Sequence, residues 1–408
     1  MKKLKTIFSP RKLIIWFFLI ILAITVPEIT RPAMSQTEAI VTAFCLDRVE
    51  ENIQATAIVL APSKERTAQY NSFSGTGKTV SEAVENISLS LGKSMGFAQC
   101  EIMAFGDNIS DYGIISSLDF MSRTRKVGRN AMLINFGGDI EDFSQAIISL
   151  SAEKSLDLED VLSFDKRYIL SQDSNIHSFY KGYFSNISLG IMPKVKIVNN
   201  KQENAIEISN SNQSTSGEQA NTQTSTNQSY LLNDSTISIF KDGKKQIEMP
   251  PELVKKLNIF LNSSGKGTIK VKNVSDNLYN NSDVVLNITS KNVKLTPKFI
   301  NNKPIYDIEI SISGLVDEVN EENPNKKFLR RNKDFMSPEL IKKTKETVEK
   351  DAHDVINFCV NNNIDLIQAY KHFYKLQHKP FLKYYDLTKE KYLSGINYNV
   401  SVKVSSSY

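Results

Sequence analysis

The chain of 408 residues carries 50 basic and 45 acidic side chains, and five of the basic residues precede residue 13, so the charges of the remaining chain balance. A nucleic-acid-binding protein would be expected to show a basic excess, so this composition argues against that class of partner. Three widely separated cysteines argue against a disulfide-stapled scaffold. The length suits two or three domains.

The first predicted element is the apolar run Leu13–Val26, which follows a basic tip containing Arg11 and Lys12. Such a tip marks the cytoplasmic flank of an inserting segment, so the rest of the chain is expected outside the cytoplasm. The run is shorter than the roughly 17 to 20 residues of a full span and suits a signal-peptide core. However, the nearest triplet that resembles a cleavage site, Ala33-Met34-Ser35, does not closely follow the apolar run. We predict an uncleaved membrane anchor within residues 1–34, with a cleaved signal peptide and a buried helix as the alternatives.

Residues 35–198 alternate between strand and helix patterns, which predicts an N-terminal mixed α/β domain. Two apolar runs on either side of Asp47–Asn52 predict a hairpin. Thr79 followed by Glu82 forms a capping box, which predicts a helix over 80–93. Further strands are predicted at 101–105 and 131–136, and helices at 111–123 and 139–150.

The segment Ser72–Thr79 reads SFSGTGKT, which matches a phosphate-binding loop except that Ser72 stands in place of its first glycine. That glycine helps backbone amides wrap around phosphate, and no magnesium-binding aspartate is evident after a later apolar strand. We therefore interpret Gly75 and Gly77 as a turn that leads into the capped helix, and we predict that the loop binds no nucleotide.

Residues 199–230 consist mainly of Asn, Ser, Thr, Gln and Glu, and such a segment cannot bury enough apolar surface to offset its conformational entropy. We predict a polar linker over 199–230 that separates the first domain from a C-terminal mixed α/β domain over 231–408. The predicted fold class is therefore α+β, in which an N-terminal membrane anchor precedes two or three domains, each a small sheet packed with helices.

In the second domain, Asp242-Gly243 predicts a tight turn between strands at 235–240 and 245–248. A short helix is predicted at 251–261, and strands at 268–274, 284–289 and 305–316. Ser337-Pro338-Glu339 has the residue types of a helix start, and a second helix is predicted over 364–377, before Pro380. The alternation over Ile396–Val404 predicts a closing strand, which we expect to be antiparallel to its neighbours.

No arrangement typical of catalysis or of metal binding is apparent. The motifs of serine nucleophiles are missing, and the histidines show no metal-ligand spacing: they are His177, His353, His372 and His378. We interpret His372 and His378 as exposed helix residues. The densest basic cluster of the body consists of Arg123, Arg125, Lys126 and Arg129. We interpret it as a solvated turn, with a partner contact as the alternative. We predict no catalytic, cofactor-binding or metal-binding residues.

The order of features resembles the Ger(x)C family of spore germination proteins, the C subunits of nutrient germinant receptors. In the first domain the resemblance rests on IVTAFCLD, GTGKTVSEAVENI and LDFMSRTRKVGRNAMLINF, which begin at Ile40, Gly75 and Leu118. In the second it rests on STISIFKDGKK and VVLNITSKNVKLTP, from Ser235 and Val284, and on the closing helices and strand. The resemblance implies several mixed α/β domains, no catalysis, and assembly with integral-membrane A-type and B-type subunits.

One feature departs from that family. Its members usually begin with a lipoprotein signal that supplies a cysteine for lipid attachment, whereas Cys45 is the first cysteine here and lies within the first predicted strand. We therefore expect Leu13–Val26 to replace the lipid and to place a single-pass protein in the inner spore membrane. The sequence leaves open whether a small-molecule germinant binds. A cell-surface enzyme or a transport accessory protein is the alternative function.

Overall fold

The computed structural model describes residues 38–61, 69–123, 127–154, 174–199, 230–258, 260, 267–276, 279, 281–320 and 336–407. The predicted anchor Leu13–Val26 lies outside these residues. None of the helices described has the length and the apolar character needed to span a bilayer.

In chain order, the first half contains β1 (Glu38–Val49), β2 (Asn52–Ala61), β3 (Gln69–Gly77), α1 (Val80–Leu91), β4 (Ser94–Gly96), β5 (Ile102–Gly106), α2 (Asp107–Tyr112), α3 (Ile115–Arg123), β6 (Met132–Gly137), α4 (Ile140–Lys154), α5 (Ile176–Tyr183) and β7 (Leu189–Asn199). The second half contains β8 (Tyr230–Lys241), β9 (Lys244–Met249), α6 (Pro251–Leu257), β10 (Thr268–Val274), β11 (Ser282–Ile300), β12 (Lys303–Asn320), α7 (Pro338–Asn362), α8 (Ala369–Leu376), α9 (His378–Thr388), a 3-10 helix (Lys389–Gly395) and β13 (Asn397–Ser406).

Within the described residues, nine strands form one sheet with the order β3-β2-β1-β5-β6-β7-β8-β9, and β4 pairs with β1 outside this path. Neighbouring strands β1, β5, β6 and β7 are parallel. At the two ends of the sheet, β2 and β3 on one side and β8 and β9 on the other pair in antiparallel fashion. On one face, α1, α3 and α5 contribute to the core, and on the other face α4 does so. The first sheet is therefore larger than the small sheet that the sequence predicted.

The second sheet has the order β10-β11-β12-β13 among the described residues. The alternation in β12 is confirmed, because Tyr306, Ile308, Ile310 and Ile312 are all buried. They pack in a core with α6, α7, α8 and α9, and this core also includes Ile237 of β8. Strand β8 therefore pairs within the first sheet and contributes a side chain to the second core.

Predictions based on local signals are confirmed. Thr79 caps α1 by accepting the amide of Glu82 at 3.2 Å, and the Glu82 carboxylate accepts the amide of Lys78 at 2.8 Å. Ser337 caps α7 in the same way, accepting the amide of Leu340 at 3.1 Å. Asp242 and Gly243 both have positive φ, as a tight turn between β8 and β9 requires.

One prediction for the C-terminal region is wrong. Strand β13 is parallel to β12, with Ile305 opposite Asn397 and Gly314 opposite Ser406. The helices between the two strands form a long crossover, which is the type of connection that joins parallel strands. The predicted second helix ends before Pro380 as expected, because α8 ends at Leu376, although it begins only at Ala369. A further helix that the sequence did not predict, α9, contains Pro380 near its start, where the first-turn amides have no helical partner.

Residues 200–229 of the predicted linker lie outside the described residues, so the division into domains at this segment stays a prediction. The strands on either side of it are hydrogen-bonded partners in one sheet, with Asn199 opposite Tyr230 and Leu189 opposite Lys241. Residues 231–249, which the sequence assigned to the second domain, therefore complete the first sheet.

Candidate functional site

The carboxyl ends of the parallel strands meet at one edge of the large sheet, which is where open α/β sheets usually bind their ligands. In this chain Asp47 lies near the end of β1, Asp107 directly follows β5, and Gly137 ends β6. Lys194 of β7 lies beside them, because it is paired with Asn135 of β6. Charged and polar side chains from several strands therefore converge at this edge.

Five charged side chains form an ionic cluster at this edge: Asp107, Asp111, Lys194, Lys245 and Glu248. Lys194 is only 1% exposed, and its ammonium group contacts Asp107 and, at 3.2 Å, Glu248 Oε1. The Lys245 ammonium lies 2.6 Å from the same Asp107 oxygen and 3.2 Å from Asp111 Oδ1. The cluster thus joins the start of α2 to β7 and β9.

The two lysines determine the protonation state of Asp107. Burial opposes ionisation of its carboxyl group, but hydrogen bonds from Lys194 and Lys245 outweigh burial and lower its pKa. Burial alone would lower the pKa of Lys245, but its contacts with Asp107 and Asp111 outweigh burial and raise that pKa. These groups remain charged around neutral pH, so neither is suited to exchange protons with a substrate.

A buried polar network continues from this edge into the sheet. The amide nitrogen of Asn135 donates to the Phe105 carbonyl at 2.8 Å and to Ser110 Oγ at 3.0 Å. Its carbonyl oxygen accepts from Ser238 Oγ at 2.6 Å. The side-chain amide therefore joins β5, α2 and β8 through β6, and its polar atoms are used within the protein.

Asp47 fills the space beside the end of β5. Its carboxylate accepts the Ile109 amide at 3.0 Å and the Asn108 side-chain amide at 3.2 Å, while burial raises the pKa of this carboxyl group. A Cβ atom on Gly106 would lie 2.2 Å from Asp47 Cγ, so only glycine allows this close approach. The edge is occupied by side chains of the protein itself.

A second buried carboxylate organises the C-terminal helices. Asp365 accepts the amides of Ala369 and Tyr370 at 2.8 and 2.7 Å, and the hydroxyl of Tyr392 at 2.8 Å. Burial raises the pKa of Asp365, and these hydrogen bonds favour its ionised form. The Tyr370 hydroxyl also accepts from Asn186, at 2.8 Å, which links α8 to the segment between α5 and β7.

The histidines do not form a metal centre: in the described part of the chain, no group of His, Cys, Asp and Glu has the geometry to bind a metal ion. His378, His177 and His353 are exposed. His372 is different, because it is half-buried and its Nδ1 lies 2.6 Å from the hydroxyl of buried Tyr306. Burial lowers the pKa of His372. The interpretation of His372 as an exposed helix residue is therefore wrong.

The loop that resembles a phosphate-binding loop is explained by helix packing. A Cβ atom on Gly75 would lie 2.7 Å from the carbonyl oxygen of Ala83, and a Cβ atom on Gly77 would lie 2.6 Å from the amide nitrogen of Ala83. The Lys78 amide, which a phosphate would need, donates to Glu82. Both glycines thus allow α1 to approach β3, and the absence of nucleotide binding stays a prediction.

The remaining residues that the sequence singled out are dispersed. Cys45, Cys100 and Cys359 are buried free thiols, and burial raises the pKa of each to about 12. Arg123 is exposed and pairs with Asp119 at 2.7 Å, whereas residues 124–126 lie outside the described residues. None of the described groups among these residues joins the ionic cluster, whereas Cys359 lies close enough to Asp365 for that carboxyl group to help raise the pKa of its thiol.

Sequence reasoning missed the ionic cluster and Asp365. Asp107 and Lys194 are 87 residues apart, and Asp107 and Lys245 are 138 apart, so no local spacing connects them. A weak signal was present, because Lys194 lies within the apolar run of β7, where a charged residue needs a partner.

Two family profiles match the chain. Residues 36–197 match the profile described as the spore germination protein N-terminal domain, and residues 235–407 match the one described as spore germination B3/GerAC like, C-terminal. No curated protein sequence matches significantly. Among solved structures, the crystal structure of the GerBC protein is similar in fold, with 15% sequence identity and a TM-score of 0.50, over 88% of this chain and 96% of that chain. The chain therefore belongs to the GerAC-like family of spore germination proteins, the C subunits of germinant receptors.

Proposed function

We propose that this protein is a non-catalytic subunit of a spore germinant receptor, and that it acts by docking its folded domains onto integral-membrane A-type and B-type subunits during nutrient-triggered germination. Family membership over both halves of the chain supports a receptor subunit. In the proposal, Leu13–Val26 tethers the protein to the inner spore membrane, and the domains lie outside the cytoplasm.

The non-catalytic role is supported by one observation: the polar groups at the carboxyl ends of the parallel strands are bonded to one another. Asp107 is bound by both lysines of the ionic cluster, the polar atoms of Asn135 are paired with neighbouring groups, and Asp47 fills the space beside Gly106. Groups that are satisfied by one another stabilise a fold but offer little to a substrate. This argument favours a docking subunit over the enzyme alternative.

Co-purification tests the proposal. The tagged full-length chain is produced together with A-type and B-type subunits and purified from detergent-solubilised membranes. We expect both subunits to co-elute with the chain at a fixed ratio, because docking needs no substrate turnover.

The control separates docking by the folded domains from association through the tether. It fuses residues 1–37 to an unrelated soluble protein and should capture neither subunit. If the full-length chain is folded and membrane-bound but elutes alone, docking is refuted. Equal capture by the control would assign the contact to the tether and would refute the role of the domains.

A further inference from the structure

The C-terminal helices carry a basic and apolar surface that the receptor proposal does not use. Residues 369–395 contain six lysines and two acidic residues, in a body whose charges balance as a whole. We define the lysine-leucine face as the exposed residues Lys371, Tyr374, Lys375, Lys379, Leu382, Lys383 and Leu387.

Helix α9 shows how this face is built. Lys379, Leu382, Lys383 and Leu387 follow one another at intervals of three, one and four residues, so they share one side of the helix. All four are exposed, whereas Phe381 on the opposite side is fully buried. The outward side of α9 therefore alternates lysine with leucine.

The positive charge of the face is not neutralised within the protein. Both acidic residues of this segment are already paired: Glu390 binds Lys241 at 2.8 Å, and Asp386 binds Lys389 at 3.1 Å. Within the described ranges, the four lysines of the face form no ion pair with a carboxylate. Four exposed ammonium groups on two short consecutive helices thus lack a carboxylate partner, and that of Lys371 donates to the neutral Gln368 Oε1 at 2.9 Å.

The apolar members are exposed to an unusual degree. Leu387 is 87% exposed, Tyr374 is 40% exposed and Leu382 is 37% exposed. Single exposed leucines are common on soluble proteins. Exposed leucines beside unpaired lysines offer the two contributions on which binding to a bilayer surface depends, which are burial of apolar area and electrostatic attraction to anionic lipids.

We propose that the lysine-leucine face binds the surface of a bilayer that contains anionic lipids. The lysines complement the lipid head groups, and Leu382 and Leu387 enter the region just below them. The leucines are separated by lysines, whereas the centre of a protein interface is depleted in charge. This inference uses only charge and exposure, so it does not depend on docking to receptor subunits.

Fluorescence quenching in vesicles tests the proposal with the full-length chain. A single cysteine is introduced by Leu387→Cys and labelled with a bimane dye, which is selective because the native thiols are buried. The protein is reconstituted in phosphatidylcholine vesicles with acyl-chain-brominated lipids, with or without phosphatidylglycerol. We expect quenching that requires phosphatidylglycerol and decreases at high salt, because salt screens the lysines.

Matched variants define the effect. Each lysine near an anionic surface contributes about a fivefold preference for it, so Lys379→Gln with Lys383→Gln should lower the ratio of quenched to unquenched label about 25-fold. The same change at Lys78 and Lys93, which are exposed at the two ends of α1, should leave the ratio unchanged. A label at Leu89→Cys, an exposed site on α1, should not be quenched.

Three results would overturn the inference: no quenching at position 387, equal quenching in neutral vesicles, or a label that becomes shielded only when A-type and B-type subunits are added. The last result would identify the face as a protein interface. Flotation of the unlabelled chain with the vesicles reports the tether separately, so failure of the tether and failure of this face are distinguishable.

Discussion

Replacement of Asp365 by asparagine should destabilise the C-terminal helices, because its carboxylate accepts three hydrogen bonds in a buried site. Oδ1 accepts the amide of Ala369, while Oδ2 accepts the amide of Tyr370 and the hydroxyl of Tyr392. An asparagine has one carbonyl oxygen, and in either orientation its NH2 group faces a backbone N–H. One buried amide therefore loses its acceptor.

The size of the effect follows from these contacts. An unsatisfied buried donor costs about 1 to 3 kcal/mol, and a hydrogen bond to a charged group contributes about 1.5 to 3 kcal/mol. Removing a buried charge returns part of its desolvation cost. We expect a net loss of about 2 to 4 kcal/mol for local opening of α8, which corresponds to amide exchange at least roughly 30-fold faster.

Hydrogen exchange of the full-length chain, followed by mass spectrometry of peptides from residues 365–376, measures this loss directly. The matched control is Asp386→Asn on α9, an exposed residue that pairs with Lys389, and it should change exchange by less than about threefold. Exchange in the Asp365→Asn variant within about twofold of the parent would refute the assignment of Asp365 as the residue that fixes α8.

Truncation after Gly395 removes β13, which is paired with β12 along its length, and should abolish cooperative melting of the second core; a parent-like melting temperature would show that the strand is peripheral. Calorimetry with ATP, GTP and magnesium should show no binding, and saturable binding that is lost in Lys78→Ala would contradict the packing role of its loop. Mass spectrometry of the membrane-extracted protein should find Leu13–Val26 retained without lipid; a mature terminus just after it would contradict this. Limited proteolysis within 200–229 should give two fragments that elute together until denaturant is added, because β7 and β8 are paired; separation in native buffer would show that this pairing is weak.

The parts of the fold that sequence predicts well are those encoded within a few residues. Thr79 accepts the amide of Glu82, and the Glu82 carboxylate accepts the amide of Lys78; both hydrogen bonds need only the first turn of a helix. Asp242-Gly243 likewise determines a turn through its own backbone angles. Such signals require no knowledge of distant partners, which is why the positions of these elements agree with the structure.

The parts that failed depend on partners far along the chain. The direction of β13 is set by its pairing with β12, and the alternation of Val400 and Val402 is the same for a parallel and an antiparallel strand. The pairing of Lys194 with Asp107 requires β5 and β7 to be separated by only one strand, which no spacing in the sequence indicates. The candidate site was therefore harder to predict than the elements that carry it.

The parallel pairing of β12 with β13 has a consequence for how the protein matures. The register joins Tyr306 to Tyr398, so the contacts that complete this sheet link residues far apart in sequence. Contacts of high sequence separation slow folding, and unpaired strand edges promote aggregation while they persist. During synthesis, the edge of β12 stays open until the ten residues of β13 have emerged. Completion of this half therefore waits for β13, and a chaperone that shields β12 in the interval would increase the yield of folded protein.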